Sequence, residues 1–60
     1  MWIRRSVKHP DCFVVRREDY SSIKAWAHDN DVGISVSVEY PQWVRILITH
    51  NEELFVLRWL

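Results

Sequence analysis

The chain has 60 residues with eight basic side chains, eight acidic side chains and three histidines, so its formal net charge is zero. This balance argues against a protein whose whole surface serves nucleic acid or anionic membrane. No apolar run reaches the length of a signal-peptide core or a membrane span, and a single cysteine excludes an internal disulfide. We therefore expect one domain over residues 1–60, a reducing cytoplasmic setting and no membrane partner.

Two short strands are predicted in the N-terminal part of the chain. Trp2 to Val7 is one candidate, and Cys12 to Arg16, which contains the apolar run Phe13-Val14-Val15, is the other. Basic residues concentrate here. Residues 1–17 carry five basic groups and one acidic group, a net charge of +4, whereas residues 18–60 carry three basic and seven acidic groups, a net charge of −4.

A helix is predicted from Asp19 to about Asn30. Asp19 is a suitable N-cap, because its carboxylate can accept from the exposed amides of the first turn. The apolar residues of the segment recur at helical spacing and form one stripe, made of Tyr20, Ile23, Trp26 and Ala27. A helix this short needs a sheet to pack on, and the stripe should face that sheet.

The last 29 residues predict a meander of three antiparallel strands. Val32 to Tyr40 alternates apolar and polar residues and ends before Pro41, Val44 to Thr49 follows, and Leu54 to Leu60 is read as the third strand.

The register is expected to put apolar pairs on one face of the sheet. In the first hairpin these pairs are Tyr40–Val44, Val38–Ile46 and Val36–Ile48. In the second hairpin they are Ile48–Phe55, Ile46–Leu57 and Val44–Trp59. Glu39 would then lie opposite Arg45 on the other face as a favourable charge pair, and a bulge is possible in the first hairpin.

These elements together predict an α+β fold, a small and mainly antiparallel sheet of four or five strands with one helix packed on one face. The Cys12–Arg16 strand could lie beside either outer strand of the meander. One helix cannot cover both faces, and the last strand is apolar on both sides. The second face should therefore keep an apolar patch, unless the N-terminal segment folds over it and buries Trp43.

The candidates for chemistry are few. His9 and Cys12 have a ligand-like spacing, but no second close pair accompanies them, so exposed histidines are expected rather than a metal site. Cys12 in a strand is expected to be a small buried hydrophobe. The carboxylates are scattered over caps and turns. The sequence therefore predicts a non-enzymatic protein with no cofactor.

The first hypothesis for function is a protein-interaction module that binds a larger partner protein or itself through the uncovered sheet face or a strand edge. Small inhibitors or regulators, including those of phages or mobile elements, fit this description. Tryptophan and arginine are enriched among residues that dominate binding energy. The expected partner-binding residues are Trp43, Arg45, Leu47, Leu54, Val56, Arg58 and Leu60.

The alternative hypothesis is nucleic-acid binding through the basic N-terminal segment. Basic groups interleaved with an aromatic ring are typical of single-strand binding surfaces, although no recognisable nucleic-acid-binding motif is present and the pI is close to neutral. The residues that this alternative uses are Trp2, Arg4, Arg5, Lys8, Arg16 and Arg17.

Overall fold

The computed structural model describes residues 2–60, which form a four-stranded antiparallel sheet and two helices. The elements in chain order are β1 (Ile3–Arg5), β2 (Cys12–Arg16), α1 (Arg17–Asp29), β3 (Gly33–Glu39), β4 (Trp43–His50) and α2 (Glu52–Trp59). The α+β class and the small antiparallel sheet are as predicted. The strands lie in the order β1-β2-β4-β3.

All neighbouring strands of the sheet pair in antiparallel fashion. Both β2 and β3 pair with β4 in antiparallel fashion, so they run parallel to each other on either side of it. The connection between these two parallel strands passes through α1, as a crossover must when the strands share a sheet. Strand β1 is an edge strand and covers only three residues of the predicted Trp2–Val7 segment.

Helix α1 begins at Arg17, two residues before the predicted N-cap Asp19. Arg16 takes the N-cap position in an extended conformation and makes no side-chain capping hydrogen bond. Instead, the Arg17 N–H donates to the carbonyl of Gln42 at 3.2 Å, which ties the start of the helix to the β3–β4 turn. The predicted stripe is confirmed, because Ile23 and Ala27 are buried and their stripe neighbours pack against the core.

The C-terminal segment is the main correction to the predicted elements. Leu54 to Leu60 was expected to be a strand, but Glu52–Trp59 is a helix, so the third strand and the second hairpin are wrong. The expected pairs of Phe55, Leu57 and Trp59 with β4 do not exist. Alternation would have placed the apolar residues of this segment on both faces of a strand. In the structure they lie on different sides of helix α2.

The ends of α2 explain why a helix forms here. Glu52 and Glu53 lie in the first turn and Arg58 in the last, which suits the helix dipole at both ends. Phe55 and Trp59 are one turn apart and point to the same side. Phe55 is fully buried with its ring centroid 4.8 Å from that of Phe13, and Trp59 meets Trp26 edge to face at 5.7 Å.

The core lies between one face of the sheet and the two helices. Its buried residues are Phe13, Val15, Ile23, Ala27, Val32, Val44, Ile46, Ile48 and Phe55. Helix α1 contributes two of these residues and α2 contributes Phe55. Both helices therefore cover the same face of the sheet.

The hairpin register differs from the predicted one because β3 contains a bulge. Val36 pairs with Ile46, but Val38 pairs with Arg45, so Ser37 is an extra residue between them. The bulge reverses the alternation for the rest of the strand. Val38 therefore lies on the face opposite the core, which corrects the expected Val38–Ile46 pair, and the other two pairs expected in this hairpin are also absent.

A second irregularity lies at the other end of the same hairpin. Gly33 pairs with His50 and Ile34 with Ile48, which leaves Thr49 as the extra residue. A Cβ atom on Gly33 would collide with the Thr49 hydroxyl oxygen and would lie 3.1 Å from the His50 Cβ. The single glycine of the chain is therefore required by close approach of the bulged partner strand.

Phe55 and Leu57 provide a test of the helical assignment. Changing Phe55 to Ala should reduce the free energy of unfolding by about 3–5 kcal/mol, because it empties the site against Phe13. Changing Leu57 to Ala, at a side chain that is 81% exposed, should change that free energy by less than about 0.5 kcal/mol. Urea unfolding followed by circular dichroism measures both. Equal losses would contradict the helix, since a strand would place both residues on one face.

Candidate functional site

One face of the sheet has no helix packed on it within residues 2–60. On β2 and β4, the residues that alternate with the core residues point to this side. We call it the open face, and its members on the two central strands are Cys12, Val14, Arg16, Trp43, Arg45 and Leu47. Neither helix covers this face, but its apolar side chains are only partly exposed and Cys12 is buried.

The N-terminal segment extends the sheet and does not fold over Trp43. Strand β1 pairs with β2 at the sheet edge, with Arg4 opposite Val14 on the open face. Trp2 precedes this strand, and the Arg4 guanidinium stacks on its indole at 5.2 Å from the ring centroid. Because residues two apart in a strand share a face, Trp2 and Arg4 join the open face.

A row of aromatic and basic side chains crosses one end of the open face. Arg16 pairs with Trp43, and Trp2 falls beside Arg16, since Ile3 pairs with Val15. Tyr40 donates its N–H to the Trp43 carbonyl at 2.9 Å, and the two rings lie 4.3 Å apart at 30°. The row therefore spans the sheet as Trp2, Arg16, Trp43 and Tyr40.

The next row is cationic, and the bulge in β3 keeps Glu39 off this face. The row contains Arg4, Val14, Arg45 and Val38. The predicted pairing of Glu39 with Arg45 is wrong, since Glu39 lies opposite Val44 on the core side and forms an ion pair with Arg17 at 3.1 Å. The Arg45 Nε donates to the Ser37 hydroxyl at 3.4 Å, and among residues 2–60 neither Arg4 nor Arg45 has a carboxylate partner.

Charge is therefore separated between the two sides of the molecule. The paired strand residues of the open face include three arginines and no carboxylate, and Asp11 and Glu18 lie at its margins. On the helical side, Glu52 and Glu53 lie in the first turn of α2, and Asp29 and Asp31 lie at the end of α1. A chain of zero formal charge thus has two arginines without a carboxylate partner on its sheet side, and acidic residues both on its helical side and, near the start of α1, at the margin of the open face.

A cleft of about 520 Å³ opens at the aromatic end of the open face. Trp2 and Trp43 line it, with Arg16 between them in the sheet, and the start of α1 and the β3–β4 turn complete its wall. The Arg16 Nη1 contacts the Glu18 Oε1 at 3.3 Å. Pro41 and Gln42 contribute from the turn. The cleft therefore combines two indole rings with a side-by-side guanidinium and carboxylate.

The expected partner-binding residues do not form one surface. Trp43, Arg45 and Leu47 lie on the open face, but the other members of that set belong to α2. Val56 packs against the core on the opposite side of the sheet. The correction follows from the helix, which removes Leu54, Val56, Arg58 and Leu60 from the open face.

The expected nucleic-acid-binding residues are also divided. Trp2, Arg4 and Arg16 lie on the open face. Arg5 points to the core side, where it stacks on Phe13 at 4.6 Å and approaches Glu52 at 4.0 Å. Lys8 lies in an exposed turn, and Arg17 binds the Tyr40 carbonyl at 3.2 Å and the Glu39 carboxylate.

The structure thus joins three residues of each predicted set into one surface. Sequence reasoning missed Tyr40, Glu18 and Gln42 as neighbours of that surface. The aromatic pair Tyr40–Trp43 across a short turn was the signal that could have identified the first of them.

The histidines and Cys12 do not come together in a metal-binding group within residues 2–60. Residues 2–60 bring no three metal-binding side chains together. His9 and His28 are exposed, and His50 pairs with Asp31 at 3.4 Å at the far end of β4. Cys12 is 6% exposed on the open face. Burial raises the pKa of its thiol, and the charge and hydrogen bond of Asp11 act in the same direction, against the influence of Arg45.

A stripe of leucines lies on the outer side of α2. Leu54, Leu57 and Leu60 are spaced three residues apart and are 42%, 81% and 58% exposed. Glu53 stands at the start of the helix, and Arg58 near its end stacks on Trp59 at 4.3 Å. We call this surface the leucine stripe.

Comparisons with protein-family models, with curated proteins and with solved structures found no match to this chain. Within residues 2–60, neither α1 nor α2 has the length and apolar character to cross a bilayer.

The raised pKa of Cys12 predicts a specific loss of stability at alkaline pH. Burial favours the neutral thiol in the folded state, so its stabilising contribution is complete below the ordinary thiol pKa of about 8.5 and is lost as pH rises through the folded pKa. Urea unfolding at several pH values should show a steeper alkaline decline in the native protein than in Cys12→Ala. Parallel declines would contradict a desolvated thiol.

Proposed function

We propose that this chain is a non-enzymatic binding module that holds single-stranded nucleic acid on its open face. The observation that carries the proposal is the composition of that face: Arg4, Arg16 and Arg45 interleaved with Trp2, Trp43 and Tyr40, with no carboxylate among its paired strand residues. Single strands are bound in this way, with cations tracking the backbone and bases stacked on aromatic rings.

The charge of the open face supports an anionic occupant. Arg4 and Arg45 have no carboxylate partner within residues 2–60, so their charges are available to phosphates. Glu52, Glu53, Asp29 and Asp31 lie on the helical side, which would repel a polyanion and favour one docking orientation. Zero net charge is therefore compatible with nucleic acid, because attraction depends on the local field of the face.

A single strand needs little area on this face. A strand a few nucleotides long occupies a small site, and stacking alone contributes about 1–3 kcal/mol per base.

Titration of tryptophan fluorescence with a single strand of about eight nucleotides tests the proposal. Binding should quench Trp2 and Trp43. The logarithm of the association constant should fall with the logarithm of salt concentration with a slope of about −1.4, since Arg4 and Arg45 contribute about −0.7 each. Arg45→Ala should reduce the magnitude of this slope by about 0.7, and Trp43→Ala should weaken binding by about 1–3 kcal/mol.

Lys24→Ala is the matched control, because it removes one positive charge from the exposed side of α1. It should leave both the affinity and the slope nearly unchanged. Absence of binding at low ionic strength would remove the nucleic-acid proposal. If an acidic protein is then retained by the native chain and lost by Trp43→Ala, the open face serves the larger protein partner of the first hypothesis.

A second proposal, self-association, rests on the leucine stripe. Two copies of α2 packed antiparallel about a twofold axis would place Leu57 against its symmetry mate and Leu54 against Leu60. The stripe is therefore complementary to itself in shape. An eight-residue helix offers little area, so the dimer should be weak and dependent on concentration.

Light scattering across a dilution series tests self-association. Leu57→Lys should make the chain monomeric at every concentration, whereas Val7→Lys, at a residue that is 96% exposed in the loop after β1, should leave association unchanged. A native chain that is monomeric throughout would contradict the proposal.

A non-enzymatic role and a cytoplasmic setting belong to the same proposal. Their support is the unpaired Cys12, which suits a reducing compartment. Its buried thiol with a raised pKa is also poorly suited to act as a nucleophile.

A further inference from the structure

The cleft at the end of the open face has a chemistry more specific than stacking on the rest of the face. Trp2 and Trp43 lie on either side of Arg16, two interstrand spacings apart, which is about 9.6 Å. A planar ring placed midway between two indoles at this separation would lie within aromatic contact distance of both. The volume of about 520 Å³ lies within the range of small-ligand sites.

The polar wall of the cleft presents a hydrogen-bond donor and hydrogen-bond acceptors side by side. The Arg16 guanidinium and the Glu18 carboxylate lie side by side, with Nη1 and Oε1 3.3 Å apart. Arginine offers donors only, and an ionised carboxylate offers acceptors only. The Glu18 side chain is 71% exposed, so its carboxylate can meet a ligand. The pair therefore presents one donor beside two acceptors.

Guanine is the nucleobase whose Watson–Crick edge complements this order. Its O6 accepts, and its N1–H and N2–H donate, so O6 would face Arg16 while N1–H and N2–H face the two oxygens of Glu18. Adenine offers one donor beside one acceptor on this edge. Cytosine offers one donor and two acceptors, the same order as the protein pair, and its acceptors would face the carboxylate.

We infer that the cleft between Trp2 and Trp43 takes one unstacked guanine of the bound strand, selected by Arg16 and Glu18. This assignment rests on the proposed function, because the rest of the strand lies on the open face. Single-stranded bases are read elsewhere in the same manner, by aromatic stacking and by hydrogen bonds to the Watson–Crick edge. Gln42, which also lines the cleft, can add one amide contact.

The test compares thymine strands that carry a single central guanine, adenine, cytosine or hypoxanthine. Guanine should bind about 5- to 150-fold more tightly than adenine or cytosine, as expected for one bidentate base contact. Hypoxanthine, which lacks the N2 amino group, should fall between guanine and adenine. Glu18→Gln should remove the preference for guanine, because the amide replaces one acceptor by a donor.

Glu53→Gln is the matched control, since it makes the same change in the first turn of α2 and should keep the preference. Unfolding midpoints of both variants establish that they are folded. Equal affinity for all four strands would overturn the guanine assignment and leave strand binding in place, whereas no binding of any strand would overturn both. Free guanosine monophosphate should bind more weakly than the guanine strand, and equal affinity would overturn the assignment to a strand base.

Discussion

The contact between Phe13 and Phe55 determines which side of this domain is buried. Phe13 lies on a central strand and Phe55 on the last helix, and both rings are fully buried with centroids 4.8 Å apart. Once α2 is seated there, it lies on the face that α1 already covers through Ile23 and Ala27. No secondary-structure element of the described chain then remains for the opposite face. The open face therefore has no helix on it because both helices pack on the side of the sheet that carries the core residues.

The bulge at Ser37 keeps a carboxylate off the open face. If the Val36–Ile46 register continued without a break, Glu39 would lie on the open face opposite Trp43 and diagonal to Arg45. The extra residue moves Glu39 to the core side of the sheet, where it pairs with Arg17 at the start of α1. One additional residue in an edge strand therefore stabilises the helix start and leaves Arg45 on the open face without a carboxylate partner. Bulges commonly redirect side chains in this way next to functional sites.

The cleft depends on contacts between elements that are distant in sequence. The Arg17 N–H binds the Gln42 carbonyl, so the start of α1 and the β3–β4 turn are held together. This contact brings Glu18 to the end of the sheet where Trp43 lies. The edge pairing of β1 adds Trp2 from the other side. Three local structures, each unremarkable alone, thus form one recess with two indoles and an arginine–glutamate pair.

The sequence by itself determined the features that depend on local periodicity. Alternation, helical spacing and turn residues predict the strand Cys12–Arg16, the stripe of α1 and the hairpin whose turn contains Pro41. They also predict a sheet face that no helix covers. The period of Leu54–Leu60 was misread, because a run with apolar residues at nearly every position fits a strand and a helix equally well. Glu52-Glu53 before the run and Arg58 near its end were the signals for a helix.

Only the tertiary structure decided which residues share the open face. Trp2, Arg4 and Arg16 come from one predicted set and Trp43, Arg45 and Leu47 from the other, and strand order alone places them side by side. Strand order and the bulge are set by long-range packing and hydrogen bonding. Period-two alternation in the sequence carries no information about either of them. The sequence therefore specified the chemical groups, whereas the sheet topology determined their arrangement.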